Sequence, residues 1–153
     1  MMTRKRAKMT RKKNSISKSE VERIRMMSPT IEELREIDLK RDYRAIRKSF
    51  FGSSIPPEEE VLIRYISRKE IKRLCGYEDA DGLCCFGMWK GTPCSRQIFL
   101  ADDLKPCESA ISLLHEMAHM KVNIKFGREM RHGKYWKKEI RRLAAAGAYD
   151  GIL

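Results

Sequence analysis

The run AISLLHEMAHMKVNI, residues 110–124, restricts the fold of this chain more than any other stretch. Its apolar residues fall on several faces of a helix, the pattern of a helix enclosed by the rest of the protein. That helix must also carry His115, Glu116 and His119. Buried imidazoles and a buried carboxylate need polar partners. His115 and His119, four residues apart, lie one above the other on a single face, with Glu116 one position round on its flank. The chain has one further histidine, His132, so all three fall between residues 115 and 132. A shared metal ion satisfies the imidazoles and explains why they are pooled.

H-E-x-x-H on a helix is the pattern in which two imidazoles bind zinc and the glutamate reaches a metal-bound water as general base. An open zinc site needs one more protein ligand. Beyond His119 the helix runs about 11 Å to Gly127 at ~1.5 Å per residue. The connection from there to His132 spans roughly 20 Å at most at ~3.3 Å per residue, enough to fold back. The compact run with a third histidine six residues on is absent, since it needs glycine at 122 and histidine at 125, where Val122 and Lys125 stand. A downstream glutamate is the other option, and Glu139 lies at a workable spacing. His132 is preferred, because a third imidazole just before a helix is otherwise unexplained, whereas Glu139 sits among Lys137, Lys138, Arg141 and Arg142 as a helix-surface counter-charge. Three imidazoles suit one Zn2+ ion.

At 153 residues and 42% hydrophobic content, the chain has the size of one domain with a real core. No run of 18 apolar residues appears and the basic N-terminus lacks the apolar stretch of a secretory signal, so a soluble, intracellular protein with no membrane span is expected, cytoplasmic or associated with the nucleoid. Five cysteines, an odd number with Cys84 and Cys85 adjacent and no C-x-x-C pair, fit free thiols in a reducing compartment.

The net charge is +12. Residues 1–18 hold eight Lys or Arg and no acid, leaving 25 basic against 21 acidic residues in the rest. This basic tail is expected to be disordered, because it has too little apolar surface to offset its ordering entropy. A second basic concentration, Lys121, Lys125, Arg128, Arg131, Lys134, Lys137, Lys138, Arg141 and Arg142, follows the metal helix with only Glu129 and Glu139 to balance it. Both clusters are candidate nucleic-acid contacts.

Residues 28–153 are expected to form the folded domain. Ser28 as N-cap, Pro29 and the acids Glu32 and Glu33 start a helix that Gly52 ends, with Ile31, Leu34, Tyr43, Ile46 and Phe50 at mostly helical spacing. A strand at 61–67, a short helix ended by Gly76 and a hairpin of 83–90 with 95–101 around Gly91 and Pro93 come next. Two helices follow, 107–126 stopped by Gly127 and 134–146 stopped by Gly147. Trp136, Ile140 and Leu143 read as core contacts to the metal helix, and Trp89 as a core or rim residue of the hairpin.

LLHEMAHMKV followed by HGKYWKKEIRRLA resembles the SprT-like zinc metallopeptidases, the group that includes the Spartan-type DNA–protein crosslink proteases. IRKSFFGSSIP and RQIFLADDL extend the likeness more weakly, so that it covers residues 30–147. The resemblance implies an α+β fold: a single zincin-like domain, a small sheet with a hairpin packed on the metal-binding helix, and a following C-terminal helix. It makes His115, His119 and His132 the zinc ligands and Glu116 the general base of peptide-bond hydrolysis, acting on a protein substrate at or near DNA. It also suggests that strand 95–101 offers its edge to an extended substrate peptide. The cysteine zinc ribbon that many bacterial relatives append has no counterpart here. The competing expectation is a nucleic-acid-binding module in which zinc only holds the fold, which would need a fourth protein ligand and no glutamate beside His115.

Overall fold

Three strands pair into one mixed sheet: β1 (Leu62–Ile66), β2 (Gly82–Trp89) and β3 (Thr92–Ala101), in the order β1-β3-β2. β1 runs parallel to β3 with Ile63 opposite Ile98, and β2 runs antiparallel to β3 with Cys84 opposite Ile98. Ile63, Ile98 and Leu100 are fully buried, so one face of this small sheet builds the core. The computed structural model describes residues 17–19, 22–23, 29–77, 79–89, 92–126 and 132–152, and of 86–89 and 92–95 the backbone alone. The tail residues 1–16, the N-cap Ser28, the turn residue Gly91, the side chain of Trp89 and the helix stop Gly127 lie outside the described residues.

Among the described residues, four longer helices complete an α+β arrangement: α1 (Ile31–Ile46), α2 (Arg68–Cys75), α3 (Pro106–Phe126) and α4 (Lys134–Ala145). α1 does not bury all of its expected apolar face. Ile31 and Leu34 stay exposed, and Leu39 and Tyr43 are the buried positions. Tyr43 donates its hydroxyl to the Pro56 carbonyl at 2.7 Å, fixing α1 to the loop before β1. The helix widens into a π-helical turn at Arg47–Phe51 before Gly52, whose φ of 54° ends it. α2 starts at Ser67, whose side chain accepts from Glu70 N, and ends at Gly76 in the left-handed region with φ 86°.

α3 is the centre of the molecule. Leu113, Leu114, Met117, Ala118 and Met120 have no exposed surface, and they share one core with Ile98 and Leu100 of β3. Each large side chain so enclosed contributes about 1.5–3 kcal/mol, so the helix is anchored by packing and can carry polar groups toward one side. α4 packs back on it through Leu143, with Trp136 and Ile140 at the border of the same core. Gly147, with φ 81°, closes α4, and Ala148 N donates to the Leu143 carbonyl at 3.0 Å.

β3 is the central strand, paired on both sides, so the expectation that 95–101 offers a free edge is corrected. Among the described residues β1 and β2 are the outer strands, each paired in the sheet on one side only. Cys84 and Cys85 are buried and outside any disulfide, as expected, but Cys107 is exposed at the start of α3. No helix among the described residues is long and apolar enough to cross a membrane.

Candidate metal centre

The start of α3 sets where its histidines fall. Glu108 accepts from Lys105 N at 2.7 Å, and Ser109 N donates to the Lys105 carbonyl at 2.8 Å, a reciprocal closure of the first turn. Two turns later His115 and His119 share one face, and the residue before Gly133, at the start of α4, is His132. Lys137 N donates to the Gly133 carbonyl at 3.0 Å, so His132 is held at the mouth of a regular helix.

The three rings converge. His115 Nε2 lies 3.2 Å from His119 Nε2 and 2.9 Å from His132 Nε2, and the ligand atoms of the three all lie within 4.8 Å of one another. A ring nitrogen has one in-plane direction, occupied by either a hydrogen or a lone pair. His115 Nε2 therefore cannot hydrogen-bond well to both neighbours at once. A cation about 2.0–2.1 Å from each nitrogen, with tetrahedral angles, would leave the nitrogens roughly 3.3 Å apart, close to the two separations from His115. The three histidines can hold a metal ion.

Electrostatics favour the ligand state. Burial, and then the neighbouring His132, push His115 down to about 4, so its imidazole stays neutral and keeps the lone pair a metal needs. Trp136 supports the cluster from α4, its ring centroid 4.8 Å from His115, 5.5 Å from His119 and 4.2 Å from His132. The indole thus backs all three ligands, a closer role than general core packing. Its Nε1–H is buried and has no hydrogen-bond partner among the described residues.

Glu116 is buried and stands outside the ligand group. Burial pushes its carboxyl up to about 8, opposed by a hydrogen bond from the Cys84 backbone N–H. The carboxylate, the three imidazoles and Asn123 border a cavity of about 520 Å³. Ile111 and Ser112 extend the same wall along α3, and Tyr77 and the residues from Ala80 to Cys84 also line the cavity. Three candidate metal ligands and a carboxylate therefore share one cavity.

Glu139 does not join them. The surface counter-charge expected from its neighbours is corrected: Glu139 is buried and accepts from Lys121 Nζ at 3.0 Å and from Arg142 Nε at 3.0 Å. Arg142 also donates to the Phe50 carbonyl at 2.8 Å, tying α4 to the π-helical turn after α1. Lys121 and Arg142 are consequently engaged with Glu139, Arg142 from an exposed position. Of the other basic candidates, Lys125, Lys134, Lys137, Lys138 and Arg141 are exposed, and Arg128 and Arg131 lie outside the described residues.

Sequence pattern located all three imidazoles and Glu116. It did not locate the backbone of Gly82 and Cys84 beside Glu116, because a main-chain donor has no residue-type signature. The Lys121–Glu139 pair was equally hidden, since partners 18 residues apart on different helices show no local spacing. Comparison with protein-family models, curated proteins and solved structures finds no match.

Proposed function

We propose that this chain is a zinc metallopeptidase of the SprT-like kind with a zincin-like fold, hydrolysing peptide bonds in proteins at or near nucleic acid. The observation that carries the reading is the convergence of three imidazole nitrogens beside a buried, non-ligating carboxylate at the wall of a cavity. His115, His119 and His132 would hold the ion. Zinc bound there supplies a Lewis acid for the scissile carbonyl and lowers the pKa of water from 15.7 to about 7.

The chain's own groups supply the rest. Glu116 takes a proton from the attacking water on a carboxylate oxygen and returns it to the leaving amine nitrogen. A carboxyl made more basic by burial is suited to both transfers near neutral pH. Trp136 keeps the rings of the three histidines in place. An extended substrate segment can lie along the outer side of β2, whose Gly82, Leu83 and Cys84 line the cavity.

The nucleic-acid part of the reading rests on charge. Lys134, Lys137, Lys138 and Arg141 give α4 an exposed basic side directly after His132, and residues 1–18 add eight positive charges. A structural zinc would call for a fourth protein ligand, and the described cluster has three members. The deciding experiment incubates the full chain with casein, with and without single- and double-stranded DNA, before and after chelation and zinc return. Cleavage that disappears with chelation and returns with zinc supports the peptidase. Full zinc occupancy without cleavage under any condition supports the binding module.

A further inference from the structure

The corner of the sheet at Ala80–Gly82 is fixed from two sides. Arg68 donates to Asp103 Oδ2 at 2.6 Å and to Asp81 Oδ1 at 2.9 Å, and its Nη1 lies 3.4 Å from the Ala80 carbonyl. The Asp81 carbonyl accepts from Ala101 N at 2.9 Å, and Gly82 stands opposite Leu100 in the β2–β3 register. This corner cannot recede from α3 without breaking those contacts.

Glu116 lies against it. A Cβ on Gly82 would sit 2.9 Å from Glu116 Oε1, 3.0 Å from Glu116 Cγ and 3.0 Å from Leu100 Cδ2. All three separations are inside ordinary van der Waals contact. Two residues along the same strand, the Cys84 N–H donates to the same carboxylate. The first residues of β2 therefore act on Glu116 twice, by leaving out a side chain and by supplying a donor.

We propose that Gly82 is a positioning residue for Glu116: its missing side chain lets β2 approach closely enough for the Cys84 N–H to hold the carboxylate at the cavity wall beside the three imidazoles. The catalytic consequence rests on Glu116 being the base of the reaction proposed above. In Gly82→Ala the new methyl group has two neighbours to displace. Leu100 is enclosed in the core, whereas the Glu116 carboxylate borders the cavity and can swing into it. The carboxylate then leaves Cys84, and the histidines, none of which supplies the atoms nearest the new methyl group, keep the metal.

Two measurements on the zinc-loaded full chain test this. Amide hydrogen exchange by NMR reads the Cys84 N–H directly, without any substrate. Glu116→Ala removes the acceptor and should speed that exchange at least about tenfold, and Gly82→Ala should do the same with zinc content unchanged. Unchanged Cys84 exchange in either folded variant overturns the proposal, and Glu116→Ala alone can do so where Gly82→Ala fails to fold. Steady-state hydrolysis is the second measurement. Gly82→Ala should lower kcat about 100-fold with KM little changed, the penalty of a catalytic group misplaced by about 1 Å. Glu116→Asp, which withdraws the carboxylate by one methylene from the added methyl, should cost far less in the Gly82→Ala background than in the native one. Additive losses would overturn the steric coupling. Absence of hydrolysis by the native chain would strike the peptidase reading alone, and the exchange data would still settle how Glu116 is held.

Discussion

Replacing Glu139 by alanine separates a ligand from a structural pin. Its carboxylate is 9% exposed and accepts from Lys121 Nζ and Arg142 Nε, each at 3.0 Å. Removing one partner of a fully buried pair costs about 3–5 kcal/mol, because a charge is left behind without solvent. Here the charges left behind are 22% and 40% exposed and can regain part of their hydration. Surface pairs contribute roughly 0–1 kcal/mol. An intermediate loss of about 2 kcal/mol is therefore expected, or a fall of about 4–8 °C in Tm for a chain of this size. Zinc content should stay at one per chain, since the carboxylate stands outside the histidine group. The assay is thermal unfolding of the zinc-loaded variant with metal analysis of the same sample. A Tm within about 1 °C of the native chain would refute the pin, and loss of zinc from a folded variant would make Glu139 a ligand.

The same group gives the chain a pH dependence. Burial raises the Glu139 carboxyl, but the hydrogen bonds from Arg142 and Lys121 outweigh it and hold the group below its usual range. With the folded pKa below the unfolded one, its stabilisation is complete above about pH 4.5 and is lost as pH falls through the folded value. Urea midpoints of the native chain should drop below about pH 4.5, and more shallowly in Glu139→Gln. His132→Ala should weaken zinc binding and loosen α4, measured by chelator competition and circular dichroism. Trp136→Phe keeps a ring against the histidines and removes a buried N–H without a partner, so Tm should hold or rise, whereas Trp136→Ala should cost about 3 kcal/mol or more and lower zinc affinity. Oligonucleotide anisotropy across a salt series should give a slope of about 0.7–0.9 per phosphate contact, flattened by removal of residues 1–18 and by Lys137→Glu with Lys138→Glu.

Local chemistry was legible in the sequence where it depends on spacing along one helix. The i, i+4 histidines, the helix stops at Gly76 and Gly147, and the hairpin all follow from neighbours within a few residues. What pairs distant segments was not legible. Nothing in the run 95–101 announces that it takes the centre of the sheet, because strand order is set by the β1 connection running parallel beside it. Ile31 and Leu34 keep helical spacing yet lie beyond the part of α1 that meets the core, so periodicity alone overstates the buried face. The charge run after His119 hides two different roles, partners for the buried Glu139 and exposed cations outside that pair, which the contacts of Glu139 separate and composition does not.

The most direct test of the central claim compares the native chain with Glu116→Gln for zinc content and for the rate at which new amino termini appear from casein. Because Glu116 stands outside the ligand group, both proteins should carry one zinc, and only the native chain should cleave, with the variant slower by about 100-fold or more. Equal cleavage by the two, or loss of zinc from the variant, would contradict the assignment of Glu116 as the base beside a three-histidine zinc site.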